Sequence, residues 1–331
     1  MGRFDLFATA VMLGGVPVTL AAAPCGRAVP AIREHCPAQP VDLALTLGPL
    51  RRGSGDPTMR VDTTGVWRTA ATPEGPATLH LSGPGAGTIV GRAWGPGAAW
   101  VLDGLPELLG DGDAADAFAP LHPVVADSAR RHAGLRVTRT RLVFEMLVPA
   151  VLEQKVTGVE ARRAWRWLVH RHGTPAPGPA PAGLKVAPPA RVWKRVPSWD
   201  WHRAGVDGKR SATILTAADC ATHLERSLEH GRGGPEVTAL LTSLPGIGPW
   251  TAAEVAQRAH GDTDAVSVGD YHLAGFIGWA LAGRPFDDEA MLAALSCYAG
   301  QRYRAIRLLE VSGATKPRFG PRLTIADHRR R

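Results

Sequence analysis

The segment Leu244-Pro245-Gly246-Ile247-Gly248-Pro249-Trp250 constrains the fold more than any other part of the chain. Two closely spaced glycines between prolines make a short turn, because glycine permits positive φ and close approach of another backbone. Residues 235–243 read as a helix ahead of the turn, and residues 249–260 as a helix after it. Pro249 suits a first helical position, where its missing N–H costs nothing. The predicted unit is therefore helix, tight hairpin, helix. The second helix starts with unpaired N–H groups and the positive end of its dipole, which favours a phosphate. Such a turn can position a nucleic-acid backbone without reading bases. The residues expected to do so are Leu244, Gly246, Ile247, Gly248 and Thr251.

Twenty residues beyond Trp250, Val266-Ser267-Val268-Gly269-Asp270-Tyr271-His272 reads as a short extended segment ending on a carboxylate. Asp270 stands just before the helix predicted from about Tyr271, so it can cap that helix. A cap would fix the carboxylate and leave one oxygen for chemistry.

Charge supports a polyanionic partner. The formal net charge is +8, and basic residues are concentrated. Residues 130–172 hold ten Lys/Arg against three acids, and residues 301–331 hold nine against two. Lys209 and Arg210 follow Gly208 and are candidate phosphate contacts. The four cysteines (Cys25, Cys36, Cys220, Cys297) form no CxxC pair, and the twelve histidines show no zinc spacing. No cofactor is expected.

Four regions are predicted. Residues 1–40 read as a poorly ordered extension. Phe4 to Ala23 resembles a signal peptide, but Asp5, Pro17 and two glycines interrupt it. Residues 41–122 read as a small α+β domain, with strands at 41–47, 65–69 and 77–81 and a helix at 98–109. Residues 123–315 read as helical, including a long stretch at 138–169 with a break or kink at Pro149, and a helix at 207–229. Residues 316–331 form a basic tail. The fold class is α+β: a mostly α-helical bundle preceded by a small antiparallel-sheet domain.

With helices on both sides and Asp270 downstream, the segment resembles the helix-hairpin-helix DNA glycosylases. The resemblance covers about residues 41–315. It implies that Asp270 is the catalytic carboxylate and that the partner is double-stranded DNA containing damaged bases, bound by a monomer in the cytoplasm at the nucleoid. Members that also cut the strand carry a lysine where this chain has Trp250. Trp250 is similar to the alkylpurine branch, that of 3-methyladenine DNA glycosylase II, and implies base release without strand cleavage. Val151-Leu152-Glu153-Gln154-Lys155-Val156-Thr157 resembles the turn that inserts a residue into DNA, which assigns DNA contact to Gln154 and Lys155. Trp250, Glu254 and Tyr271 are the expected base pocket. Hairpin carbonyls of Thr242, Leu244 and Ile247 are the expected ligands should a monovalent cation bridge to phosphate.

The chain departs from the family pattern at three places. Lys155 replaces an apolar wedge, and a lysine cannot fill an unstacked gap. Glu254, one turn after Trp250, stands where an aromatic residue is usual; a helix-surface pair with Arg258 at i+4 is its plainer role. Leu309 stands where a stacking Trp is common. These departures keep two rivals open: a glycosylase for deaminated or bulky purines, and a non-catalytic DNA-binding hairpin module. Trp193, Trp199 and Trp201 lie among basic residues, but core packing is the commoner fate of Trp. His272 is expected to orient the loop.

Overall fold

The computed structural model describes residues 11–13, 16–18, 29–85 and 87–317. Most of the predicted extension, and the tail beyond residue 317, lie outside the described residues. A short strand pair, β1 (Val11–Leu13) and β2 (Val16–Val18), precedes the main body. A five-stranded antiparallel sheet follows, made of β3 (Ala31–His35), β4 (Met59–Asp62), β5 (Gly65–Thr72), β6 (Gly75–Gly85) and β7 (Thr88–Trp94), in the order β3-β7-β6-β5-β4. Helices α1 (Leu43–Leu47), α2 (Ala98–Asp103) and α3 (Leu105–Leu108) contribute Leu47, Leu102, Leu105 and Leu108 to the same buried cluster as the sheet residues Leu79 and Leu81.

The helical body contains α4 (Pro123–Arg131), α5 (Val143–Leu152) and α6 (Gly158–His172), then a two-stranded ribbon of β8 (Thr174–Pro175) and β9 (Lys185–Val186). It continues with α7 (Ala190–Trp193), α8 (Ser198–Ala204), α9 (Gly208–Asp219), α10 (Ala221–Arg226), α11 (Pro235–Thr242) and α12 (Pro249–Val255). Helix α12 runs on as a π-helical turn over Ala256–His260. Helices α13 (Leu273–Ala282), α14 (Asp288–Leu295) and α15 (Arg302–Val311) complete the body. Among the described residues, no helix is long and apolar enough to cross a membrane.

Four sequence expectations need correction. Residues 31–35 are not an extension: they pair with β7, from Ala31 opposite Ala93 to His35 opposite Ile89. Within residues 41–47, read as a strand, Leu43–Leu47 form helix α1, because Asp42 accepts hydrogen bonds from the N–H groups of Ala44 and Leu45 and caps it. The stretch 138–169 is two helices, and the break falls at residues 153–157 rather than at Pro149, which sits inside α5. The helix at 207–229 is also two, α9 and α10.

Helix α5 shows why the sheet and the bundle are one body. Nine of its ten residues are buried, and eight of them join β5, β6, α9 and α12 in one hydrophobic cluster. The exception, Glu145, reaches into the sheet: its carboxylate pairs with Arg68 at 3.0 Å and accepts from the Ala71 N–H. Burial pushes the Glu145 carboxyl up despite Arg68. A second cluster gathers α4, α13, α14 and α15 around Ile277, Met291, Leu295 and Leu309. Leu309 is fully buried there, so it is a core residue.

Buried His260 makes the first cluster acid-sensitive. The side chain is fully buried, with Nε2 3.1 Å from the Ser227 hydroxyl. Burial pushes the imidazole down from 6.5 to about 4. The unfolded chain protonates it near pH 6.5, the folded chain only near pH 4. The stability it contributes is therefore present above about pH 6.5 and lost as the pH falls toward 4, up to about 3 kcal/mol. Glu225, raised to about 7 by burial, slopes the other way between 4.5 and 7. The difference between wild type and His260→Gln isolates the histidine: urea melts at pH 7 and pH 4.5 are expected to show a smaller acid loss in the variant. Equal losses would remove this account.

Candidate active site

The hairpin is anchored from below and open above. Leu244 and Ile247 are buried, whereas Pro245, Gly246, Gly248 and Pro249 are exposed. The Ile247 N–H donates to the Leu244 carbonyl at 3.1 Å and closes the turn. Gly246 has φ +86°, and a Cβ there would lie 2.1 Å from the Thr213 hydroxyl on α9. Glycine is thus required on two counts, conformation and space. Gly248 provides no side-chain cap for α12, so the first N–H groups of that helix face outward without one.

Gln154 ties the α5–α6 turn to this hairpin. Its Nε2 donates to the Gly246 carbonyl and to the Thr251 hydroxyl, both at 2.9 Å. An amide held by two such bonds is a bracket between the two surfaces, which leaves Lys155 as the outermost residue of the turn. Lys155 is exposed, with φ +54°. Thr157 then starts α6 with a capping box completed by Glu160. Thr251 is buried, and its side chain is occupied by Gln154.

Asp270 lies between the two hydrophobic clusters, at the end of the segment that crosses from α12 to α13. Its Oδ1 accepts from the backbone N–H groups of His272 and Leu273, at 2.8 and 3.0 Å. Its Oδ2 accepts from the Trp250 indole N–H at 3.0 Å. The sequence led us to expect a cap, and the cap is present; the indole bond is new. Trp250 therefore fixes the carboxylate as well as offering a ring. Among the described residues, no lysine ammonium bonds to Asp270. Tyr271 is 81 % exposed and packs edge-on against His272.

Glu254 has another task. Its carboxylate pairs with Arg258 at 2.9 Å and accepts from the Ser267 hydroxyl at 2.6 Å. Gln257 donates to the same Ser267 and to the Ala265 carbonyl. These bonds clamp α12 onto residues 265–267, the strap that leads to Asp270. Arg258 also donates to the Pro49 carbonyl. Burial opposes its charge, but Glu254 and other nearby acids outweigh burial and hold the guanidinium above its ordinary range. Glu254 thus forms the expected i+4 pair with Arg258, and both of its carboxylate oxygens have partners within the fold.

Arg210 is also corrected. It is 6 % exposed, and its guanidinium donates to Asp207, to the Leu152 carbonyl and to the Gly205 carbonyl, so its donors are taken up within the fold rather than free at the surface. Lys209, beside it, is exposed. Trp193 and Trp201 are buried and stacked on each other, while Trp199 is exposed. Among the described residues, no cluster of His, Cys, Asp or Glu could hold a metal ion. Sequence reasoning missed Thr213, Ser267 and Gln257. Gln257 shares a helical face with Glu254 at i+3, which was a readable signal; Thr213 gave none.

The fold matches that of solved DNA glycosylases, and part of the sequence is similar to a curated DNA repair enzyme. It superposes on the 3-methyladenine DNA-glycosylase from Archaeoglobus fulgidus with a TM-score of 0.67 and 18% identity, covering 85% of this chain and 98% of that one. The 8-oxoguanine glycosylase/lyase of Clostridium acetobutylicum gives a TM-score of 0.61 at 13% identity, covering 85% and 98%. In sequence, the chain is 28% identical over 200 residues to a Mycobacterium tuberculosis protein named "Probable bifunctional transcriptional activator/DNA repair enzyme AlkA". That match covers 60% of this chain and 37% of the relative, so the chain spans little more than a third of the length of the curated relatives it matches. No family model matches the chain.

Proposed function

We propose that this chain is a monofunctional DNA glycosylase that flips and excises alkylated purines of the 3-methyladenine type by hydrolysing the N-glycosidic bond, acting as a monomer on damaged double-stranded DNA. The observation that carries this reading is the Trp250–Asp270 hydrogen bond beside the hairpin. A target base inside a duplex is out of reach, so the nucleotide must be flipped out. The hairpin and Lys155 would grip and hold the DNA on either side of the gap. As the C1′–N bond breaks, its electron pair leaves with the base, and positive charge develops on the sugar. Asp270, held by two backbone N–H groups and one indole, would stabilise that charge without reorganising. Water then bonds to C1′, and its proton passes to Asp270 or to solvent. An alkylated purine already carries positive charge and leaves as a neutral base, so no second acid is required. The Trp250 ring would attract it by cation–π interaction, about 0.5–2 kcal/mol.

A lysine nucleophile at position 250 would form a Schiff base and cut the strand; tryptophan cannot. The test is a panel of duplexes bearing a methylated purine, hypoxanthine or uracil. Release of the methylated purine, with strand breakage only after alkali, is the expected result. Strand cleavage without alkali would refute the monofunctional reading, and preference for hypoxanthine would refute the alkylpurine reading.

A further inference from the structure

A second feature, away from Asp270, is a cleft of about 680 Å³ lined by Arg163, Arg166, Trp167, His170, Arg171 and Arg203. None of these residues belongs to the hairpin or to the Asp270 segment. Five come from α6 and Arg203 from α8. Among the described residues most arginines are committed to carboxylates or carbonyls, as Arg210 and Arg258 are. Arg163, Arg166 and Arg203 differ: no carboxylate lies within ion-pair distance of any of them among the described residues. Arg166 and Arg203 are exposed. The Nε of Arg163 is buried without a hydrogen-bond partner. Asp200, 1 % exposed, lies 3.0 Å from His172 and 3.7 Å from Arg171, so it offsets the Arg171 end of the cleft and leaves Arg163, Arg166 and Arg203 outside any ion pair.

The position of the cleft points to its ligand. Helix α6 begins three residues after Lys155, at the outermost point of the turn bracketed by Gln154. Arg163 borders Gly205, whose carbonyl is held by the same Arg210 that holds Leu152 at the end of α5. The basic row therefore starts at the frame of the turn and runs away from it. From Arg163 to Arg171 is eight residues, about 12 Å along the helix, or roughly three nucleotide steps at 3.4 Å per strand.

We propose that this cleft is a second DNA-backbone site, gripping phosphates that flank the lesion, with Trp167 as its apolar floor. The inference rests on the proposed function, since it extends the footprint of the same bound duplex. Each neutralised phosphate contributes about 0.9 to the slope of log K against log salt. Binding of the full chain to a 25-base-pair duplex with a central abasic analogue, measured across salt, tests it. Arg166→Gln/Arg203→Gln is expected to lower the slope by about 2, one phosphate contact for each arginine. Arg166→Lys/Arg203→Lys is expected to keep the wild-type slope, which separates charge from packing. A wild type that excises bases while the Gln variant keeps its full slope would overturn the cleft alone. A wild type that neither binds the duplex nor excises would overturn the proposed function and the cleft with it.

Discussion

Asp270→Asn is expected to lower base excision about 10³-fold, roughly 4 kcal/mol of transition-state stabilisation, with little change in duplex affinity. The geometry says why the loss is large although the change is nearly isosteric. One carboxylate oxygen accepts from the His272 and Leu273 N–H groups, and the other accepts from the Trp250 indole. If asparagine turns its oxygen to the cap, its NH₂ meets the indole N–H, donor against donor. The variant thus loses the negative charge and releases Trp250 together. Trp250→Phe separates the two effects, because it leaves the carboxylate charge in place, keeps an aromatic ring, though a smaller one, and removes the donor. It is expected to cost about tenfold, the worth of one hydrogen bond to a charged group. Single-turnover excision from a methylated-purine duplex, with binding measured in parallel, checks both. Full activity in Asp270→Asn would exclude the carboxylate from the reaction. A Trp250→Phe loss equal to that of Asp270→Asn would mean that the indole does more than hold the acid.

How much of this was legible in the sequence depended on the range of each interaction. The hairpin was legible because glycine and proline act locally: Gly246 needs its positive φ whatever surrounds it. The Asp270 cap and the Glu254–Arg258 pair were legible for the same reason, being bonds across two to four residues. Residues 41–47 misled because a five-residue helix is too short to distinguish a period of 3.6 from a period of 2, and the Asp42 cap was the better signal. Strand β3 was missed because its partner, β7, lies more than fifty residues away, and no adjacent turn announces it. The Gln154 bracket spans 92 positions, so its residue type was noticed while its job was not. Arg210 carried a charge that pointed to phosphate, and only its three partners within the fold show where that charge goes.

Arg258→Met is expected to destabilise the folded chain by about 3–5 kcal/mol, the usual cost of stranding one member of a buried pair. The Arg258 and Glu254 side chains are 12 % and 13 % exposed, and the guanidinium also secures the Pro49 carbonyl ahead of the sheet. Without it, Glu254 keeps only the Ser267 hydroxyl, and an unpaired carboxylate faces the interior. Glu254→Gln leaves the opposite charge stranded, but Arg258 retains its bonds to the Glu254 and Pro49 carbonyls, so a smaller loss is expected. The double variant is expected to lose less than the sum of the singles, because neither charge is then buried alone. Urea melts of the three variants measure this coupling; strict additivity would show that the pair is not a unit. The same variants decide what Glu254 does for chemistry. A clamp that sets the strap before Asp270 should affect cationic and neutral lesions by the same factor, whereas an acid facing the base should affect the cationic lesion more. Excision ratios for methylated purine over hypoxanthine that stay constant in Glu254→Gln would assign it to the clamp.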